Sequence, residues 1–336
     1  MKTIGRILLA GLSFVAIAPW AWAIDRDDTF KDQNYSYRLW NLCEAEMNML
    51  WFEKSEHEPV TYLRNRIDAS TPDKKCEKES DSDFDDGYSA SLVAPAGDEA
   101  EPNAPLQRNE FRFADTADWQ KPAETHWYSL RFKVTGAEGD QIPSSGAIRW
   151  ITAQWKYKHL GPNKSPLLAQ RFDDGILHVT VEDGFCRCMI AKAGSLPNMA
   201  NAPGSALGEV DPLRCRLNKK GEPATECKPP RLKLYAYSRG DLEQLPDPKK
   251  DWVTMTYRVK AGGENDTLYE IYADGRFIVR AKYARQADVP PGNQVKFKFG
   301  HYRDRTTTAA DMLVARVCVS PNAERCDRSV RPAEGE

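Results

Sequence analysis

The stretch Lys296-Phe297-Lys298-Phe299-Gly300-His301-Tyr302-Arg303 alternates basic and aromatic residues near the C-terminus of the chain. Side chains of a β-strand point alternately to the two faces of a sheet, so a period of two predicts a strand here. Phe297 and Phe299 would then face an apolar core, while the opposite face would carry Lys296, Lys298 and Tyr302. Such a row of polar side chains is either a solvated sheet face or the lining of a groove.

Eight further short alternating runs, separated by turn residues, surround this strand. They cover residues 108–113, 127–134, 147–158, 176–181, 252–259, 268–273, 276–283 and 312–319. Asp274-Gly275 joins two of the runs and is a strong signal for a hairpin. Nine such runs with almost no helical periodicity predict an all-β sandwich or jelly roll over residues 106–330. Residues 184–246, rich in proline and containing four cysteines, interrupt the series as a disulfide-pinned insertion.

The N-terminal third of the chain differs in pattern. Residues 1–23 have the form of a cleavable secretory signal, with Lys2 and Arg6 before an apolar run and Ala21-Trp22-Ala23 at its end. This predicts a secreted or periplasmic protein, and no later stretch approaches the ~20 apolar residues of a membrane span. Within residues 24–105, near-helical spacing of apolar residues over 37–67 predicts one or two helices. The charged and proline-rich residues that follow predict a mobile acidic loop.

Charge constrains the binding partner. Without residues 1–23 the chain keeps 45 of its 47 basic side chains and all 49 acidic ones, a net charge of 45 − 49 = −4. No global field then attracts polyanions, so nucleic acid is not an expected partner and any anion site must be local. We expect a monomer.

All eight cysteines lie after the predicted signal, and an even number outside the cytoplasm predicts disulfides. Cys318 and Cys326 bracket a turn and are expected to pair with each other. Cys43 would pair with Cys76, and Cys186 and Cys188 would reach Cys215 and Cys227. Cys186-Arg187-Cys188 lacks the spacing of a zinc site and has no histidine pair nearby, so neither a metal nor another cofactor is expected.

Three of the predicted strands place polar residues in the same phase. Residues 108–113 alternate charged residues with Phe111 and Phe113, and residues 150–158 do the same with Trp155 on the apolar side. If these strands share a sheet with residues 295–302, one trough would be lined by six cations, an amide and a phenol. These are Arg108, Arg112, Lys156, Lys158, Lys296, Lys298, Gln154 and Tyr302.

The ordered set Arg108-x-Glu110-x-Arg112, Gln154-Trp155-Lys156 and Lys296 to Tyr302 resembles the three signature strands of jelly-roll polysaccharide lyases, the alginate, glucuronan and heparin-type lyases. Those families carry RxExR, QxH or QWH, and YFKxGxY in this order. The resemblance spans roughly residues 106–319 outside the insertion, and it implies a concanavalin-like β-jelly roll. The chain departs from the family where Lys156 replaces the motif histidine and Lys296 replaces the first aromatic residue.

This resemblance implies β-elimination on an anionic uronic-acid polysaccharide. The proton on C5 of a uronate becomes acidic only when the neighbouring carboxylate is neutralised, and Arg112 and Gln154 match the residues that would do so. Tyr302 is the candidate base and acid, with nearby lysines expected to lower the pKa of its phenol from about 10. Lys156 is the alternative base. Predicted substrate-binding residues are Arg108, Lys158, Lys296, Lys298, His178 and Arg303.

Several residues have a second interpretation. Glu110 is expected to hold an arginine in place, and Gly300 to mark a bulge that also lets a sugar approach the backbone. His301 has core parity and is expected to be structural, His126 is expected at the surface, and His178 has polar parity and could stand in for the missing histidine. The alternative to a lyase is a carbohydrate-binding protein that keeps the trough without the chemistry. A third possibility is a disulfide-braced envelope scaffold with no affinity for sugars.

Overall fold

In the computed structural model, the described part of the chain comprises residues 26–28, 40–43, 50–54, 61–67, 106–113, 120–136, 150–157, 166–173, 175–183, 186–193, 208–209, 215–217, 232–235, 244–261, 267–283, 294–304 and 309–330. The predicted signal segment and acidic loop lie outside these residues. Across the described part, no helix has the length and apolar character needed to cross a membrane.

The described residues form nineteen strands and one short helix. In chain order these are β1 (Arg26–Asp28), β2 (Trp40–Cys43), β3 (Leu50–Lys54), β4 (Thr61–Ile67), β5 (Leu106–Phe113), β6 (Thr125–Gly136), β7 (Trp150–Tyr157), β8 (Leu168–Asp173), β9 (Ile176–Asp183), β10 (Cys186–Ala193), β11 (Gly208–Glu209), β12 (Cys215–Leu217), β13 (Leu232–Tyr235), β14 (Gln244–Leu245), β15 (Val253–Lys260), β16 (Thr267–Ala273), β17 (Arg276–Tyr283), β18 (Val295–Asp304), β19 (Ala310–Ser320) and α1 (Ala323–Cys326).

The strands build two sheets. Sheet I has the order β11-β13-β17-β16-β15-β6-β19-β4-β3, and β1 also pairs with β19. Sheet II has the order β12-β10-β9-β8-β7-β18-β5-β2, and β14 pairs with β10. The pairing is antiparallel except between β10 and β14. All nine runs predicted from the alternating pattern form strands, and the all-β jelly roll of two antiparallel sheets is confirmed.

An aromatic core joins the sheets. Trp155 of β7 lies 4.6 Å from Tyr257 of β15 and 4.9 Å from Phe297 of β18, measured between ring centroids. The buried hydroxyl of Tyr257 donates to Gln170 Oε1 at 2.6 Å, which satisfies a polar group that would otherwise be costly to bury. Phe297 and Phe299 both lie in this core, as their parity predicts, so the opposite side of β18 faces away from sheet I.

The N-terminal segment is not helical where the structure describes it. β2, β3 and β4 occupy residues predicted as helix, and the prediction is wrong there. Thr61–Ile67 alternates, with Leu63 and Asn65 buried and Arg64 and Arg66 only half-buried, and it pairs with β19. Pairing within sheet I therefore overrides the weak helical spacing. Strands before and after residue 106 belong to the same two sheets.

Part of the predicted insertion also extends the sheets. β10, within residues 184–246, pairs with β9 along its length and continues sheet II. Cys188 in β10 is disulfide-bonded, and its backbone lies opposite Cys215 in β12. Its bonding partner and the predicted Cys43–Cys76 and Cys186 bonds involve side chains outside the described part, and these pairings stay predictions.

The C-terminal segment covers the outer side of sheet I. The predicted Cys318–Cys326 disulfide is confirmed and ties α1 to β19. Asp327 Oδ2 accepts a hydrogen bond from Thr256 Oγ1 at 2.9 Å, and Val330 packs with Trp127. The predicted hairpin at Asp274-Gly275 is also confirmed, since both residues have positive φ, 49° and 75°, as the tight turn between β16 and β17 requires.

Candidate functional site

The three strands that carry the sequence motifs are neighbours in sheet II. β18 lies in the centre, with β7 on one side and β5 on the other. Lys298 is directly opposite Gln154 of β7 and directly opposite Arg112 of β5. Because directly opposite residues share a face, these three positions form one row across the sheet.

Two further rows lie on the same face. Lys296 is opposite Lys156, and Tyr302 is opposite Arg108. We call the side of sheet II that carries Lys156, Lys296, Lys298, Gln154 and Tyr302 its outer face. The side chains of Arg108 and Arg112 lie outside the described part of the chain, so for these two residues only the backbone register is known.

Most of this face is covered. Lys298 and Lys296 are 3% and 5% exposed, and Lys156 and Tyr302 are half-buried. The side chains of this row point away from the core, as predicted, because the alternate residues of the strand fill the core. The two β18 lysines are nonetheless buried, so they do not form an ordinary solvated sheet face.

Glu110 and Gln154 meet over the central strand. The Gln154 amide nitrogen Nε2 donates a hydrogen bond to Oε1 of Glu110, although β5 and β7 are separated by β18. Glu110 is directly opposite Gly300 of the intervening strand. Both side chains are buried, at 1% and 2% exposure, so the bond fixes which end of the amide faces Glu110.

Gly300 marks a bulge, as the sequence predicts. The register between β18 and β7 shifts between Phe299 and Tyr302, and Gly300 has a φ of 124°. A Cβ atom at this position would lie 2.3 Å from the carbonyl oxygen of Asn109 and 3.0 Å from Nδ2 of Asn65. Only glycine fits this conformation and this close approach of the backbones.

His301 is structural, as its parity predicts. Its Nδ1 accepts a hydrogen bond from Trp150 Nε1 at 3.0 Å, so its Nε2 carries the proton and donates to the Asn65 carbonyl at 3.0 Å. The imidazole is fully buried, and burial together with the charge of Arg303 lowers its pKa to about 3. A side chain with both ring nitrogens occupied inside the protein is not a base for a substrate.

His178 does not replace the missing motif histidine. Along one row of the outer face, Tyr302, Ile151, Arg171 and His178 belong to β18, β7, β8 and β9. Three strand spacings, about 14 Å, separate the backbone of His178 from that of Tyr302, and β9 is not the strand that carries the motif histidine position, which is Lys156 in β7. Burial and the charges of Arg171, Arg187 and Lys192 lower the pKa of His178 to about 3.

The predicted contact of Arg303 with a substrate is wrong. Arg303 is fully buried and lies opposite Trp150 in the core, because it follows Tyr302 and therefore points to the other face. Lys158 lies outside the described part of the chain. His126, expected at the surface, is 1% exposed.

A buried ionic group that was not predicted from the sequence lies beside the motif strands. Arg171 of β8 donates to Glu182 and, through Nε, to Thr180 Oγ1 at 2.9 Å, and Glu182 also accepts from Arg187 Nε at 3.0 Å. β8 was not among the predicted strands because Leu168–Asp173 alternates poorly, although the same parity rule would have placed Arg171 on the outer face.

The arrangement has a chemical consequence. An amide nitrogen, three lysines and a phenol lie on one face of adjacent strands, and Gln154 can direct its second N–H away from Glu110. Such donors suit a carboxylate that gains negative charge during a reaction. A phenol on the same face can exchange a proton with the same ligand.

Comparison with known proteins identifies a family to which this chain is similar. A family model described as polysaccharide lyase matches residues 65–314, which is 250 of the chain's 336 residues. No curated protein sequence matches the chain.

Solved structures resemble this chain at low identity. They include an endo-β-1,4-glucuronan lyase from the fungus Trichoderma reesei, with 11% identity, 87% of this chain and 99% of that chain covered, and a TM-score of 0.41. The alginate lyase AlyC3 has 14% identity over 65% of this chain and 75% of its own, with a TM-score of 0.36. The cellulose induced protein Cip1 has 9% identity, 88% and 97% coverage, and a TM-score of 0.40. At this level the similarities say nothing about the substrate.

Proposed function

The chain belongs to the polysaccharide lyase family, and from this premise we propose that it cleaves an anionic uronic-acid polysaccharide by β-elimination on the outer face of sheet II. One observation carries the proposal. The register aligns Arg112, Lys298 and Gln154 in a single row across three adjacent strands, on the face that also carries Tyr302. The predicted signal segment is consistent with action outside the cytoplasm.

The first task of the site is to neutralise the substrate carboxylate. Removing the C5 proton of a uronate delocalises negative charge onto this carboxylate, so donors that already point at it lower the barrier. We assign this role to Arg112 and to the second N–H of Gln154. Lys298 lies between them and adds a positive charge within the same row.

The second task is proton transfer. In the proposed reaction the C5–H bond breaks and its proton passes to the ionised oxygen of Tyr302. The released electron pair forms the C4–C5 double bond, the C4–O bond breaks, and the departing glycosidic oxygen takes the proton back from Tyr302. One phenol on one side of the sugar can serve both steps when hydrogen and leaving group are syn.

Lys156 is the alternative base. It occupies the motif histidine position, lies opposite Lys296 and is half-buried. We rank Tyr302 acting alone above a pair of Lys156 and Tyr302, because the phenol matches the family motif and the lysine departs from it.

Absorbance tests the proposal directly, since elimination creates an unsaturated uronate that absorbs ultraviolet light. Purified protein is incubated separately with alginate, glucuronan, heparin and a pectin-like chain. We expect absorbance to rise with at least one of them, and Tyr302→Phe to lower the rate about 10²- to 10⁴-fold while the protein stays folded. Equal rates for the two proteins would overturn the role of Tyr302.

Binding without cleavage is the second candidate function, and the lysine at position 156 favours it. A binder would be retained on an immobilised acidic polysaccharide while none of the four polymers gave a rise in absorbance. A scaffold without sugar affinity would give neither result.

A further inference from the structure

Next to Tyr302, a group of polar side chains joins the two sheets inside the sandwich. His301 of β18 is bonded to Trp150 of β7 and to the backbone of Asn65 in β4, a strand of the opposite sheet. Most contacts between the sheets are apolar, so a hydrogen-bonded connection at this point requires a specific explanation.

The connection continues into β5. Asn65 Nδ2 donates to the carbonyl oxygen of Asn109 at 3.0 Å, and Asn109 Nδ2 donates to the carbonyl oxygen of Arg66 at 3.1 Å. All three polar residues, Asn65, Asn109 and His301, are 0% exposed. The bonds therefore act in a medium of low dielectric constant, where their loss leaves buried groups without partners.

The connection encloses the bulge. Gly300 sits against Asn109 and Asn65, and the register of β18 shifts between Phe299 and Tyr302. The shift affects only the side of β18 that faces β7, because the register between β18 and β5 is unbroken. On the β7 side Gly300 and His301 have no opposite residue, so the direction of the next side chain there depends on what else holds this part of the strand. His301 is the residue between the bulge glycine and Tyr302, and its ring also stacks on Trp150 at 5.5 Å with an interplanar angle of 22°.

We propose that His301, held by Trp150 and Asn65, is a positioning residue that fixes the bulge at Gly300 and so aims the phenol of Tyr302 along the outer face of sheet II. The inference rests on the proposed function for its catalytic consequence. The structural part, a fixed direction of the Tyr302 ring, can be measured without substrate.

Two substitutions of His301 separate its two bonds. In His301→Gln the amide nitrogen lies near the position of Nε2 and can still donate to Asn65, whereas in His301→Asn the amide oxygen lies near Nδ1 and can still accept from Trp150. Trp150→Phe tests the bond between Trp150 and His301 from the other side. It is the milder change, because it keeps a ring in the core and removes only the N–H donor. His126→Gln is the matched control, since His126 is also buried but lies in β6 of sheet I.

The first measurement is a nuclear magnetic resonance spectrum of the protein without substrate, labelled with carbon-13 at the tyrosine ring carbon that bears the hydroxyl. Tyr302→Phe identifies the Tyr302 signal by its disappearance. We expect one sharp Tyr302 signal in the parent and in His126→Gln, and a broadened or divided signal in the two His301 variants. A single unshifted signal in both would overturn the proposal whether or not the protein is active.

The second measurement is turnover on the polymer that is cleaved fastest. We expect kcat to fall about 10- to 100-fold in both His301 variants, and less in Trp150→Phe, because a displacement of about 1 Å at the reacting group costs up to ~10²-fold. KM should stay within about twofold, since the basic rows remain. A rise in KM with unchanged kcat, or an equal loss in His126→Gln, would show a general structural effect and contradict the proposal. If Tyr302→Phe itself keeps full activity, the catalytic role of Tyr302 fails and His301 has no catalytic consequence, while the labelled signal still decides the positioning role. If no polymer is cleaved by the parent, the proposed function fails, and the labelled signal again decides the positioning role by itself.

Discussion

Gln154 of β7 donates its amide N–H to the carboxylate of Glu110 in β5 across the intervening strand β18. The sequence motif did not indicate this amide as a partner of Glu110, and the predicted pairing of Glu110 with Arg108 or Arg112 stays a prediction, because both arginine side chains lie outside the described part of the chain. The contact decides the orientation of Gln154. With nitrogen directed at Glu110, the remaining N–H of the same nitrogen is the group to which our proposal assigns the substrate carboxylate.

Replacing Glu110 with Gln should therefore reduce catalysis. The neutral amide can donate as well as accept, so it no longer selects one orientation of Gln154. A hydrogen bond to a charged group contributes about 1.5–3 kcal/mol, which predicts a loss of about 10- to 100-fold in kcat/KM.

Glu270→Gln is the matched control for this change. Glu270 is a fully buried carboxylate on sheet I that accepts from Arg280 Nε at 2.6 Å. We expect the control to lower stability and leave kcat/KM unchanged. An equal effect of the two substitutions on kcat/KM would contradict the role assigned to Glu110.

Lys156→Gln distinguishes the two candidate bases. If Tyr302 acts alone, removing one cation from the row raises KM and lowers kcat less than about tenfold. If Lys156 is the base, kcat falls about 10²- to 10⁴-fold. We expect the first result, measured by the rate of absorbance increase at saturating polymer, and the second result would reverse our ranking of the bases.

Local periodicity predicted most of what positions this site. The alternation in β5, β7 and β18 was sufficient to place Gln154, Lys298 and Tyr302 on one face, because every second side chain of a paired strand points to the same face of the sheet. The same rule excludes Arg303 from that face, and its assignment to the substrate ignored the rule.

Contacts between distant segments were not predictable in the same way. Asn65 precedes His301 by 236 residues, and nothing in the local sequence of β4 indicates a partner in the opposite sheet. The helical spacing read over residues 37–67 failed for the same reason, since pairing of β4 with β19 stabilises an extended chain whatever its local preference.

Gly300→Ala should be strongly destabilising. The new Cβ would combine a φ of 124° with a 2.3 Å approach to the carbonyl oxygen of Asn109, so we expect a loss of about 3 kcal/mol or more in urea unfolding. Gly175→Ala is the control, because its φ is 65° and its new Cβ would meet Lys249 Nζ only at 3.4 Å. It should lose about 1 kcal/mol. Similar losses at the two positions would argue against the close packing of β18 on β5.

Removing the Cys318–Cys326 disulfide should affect stability without affecting turnover. The bond closes a loop of eight residues, for which loop entropy predicts about 2.5 kcal/mol. It ties α1 to the outer side of sheet I, away from the outer face of sheet II. The double substitution to alanine should therefore lower the urea midpoint while kcat stays within twofold, and a large loss of kcat would mean that the C-terminal segment supports the site.

The buried histidines should make the protein sensitive to acid. Burial lowers the folded-state pKa of His301 from 6.5 to about 3, so as the pH falls the unfolded chain binds a proton before the folded chain does. The stability contributed by the neutral imidazole is present above pH 6.5 and is lost progressively between pH 6.5 and about 3. Between pH 7 and pH 4.5 this amounts to about 2 kcal/mol. His301→Asn removes the titrating group. Between the two pH values, the free energy of unfolding of this variant should therefore fall less than that of the parent, and the difference should equal this amount. Urea unfolding at both pH values measures it. An identical fall in parent and variant would mean that His301 is not held neutral inside the sandwich, and the connection between Trp150, His301 and Asn65 would lose its basis.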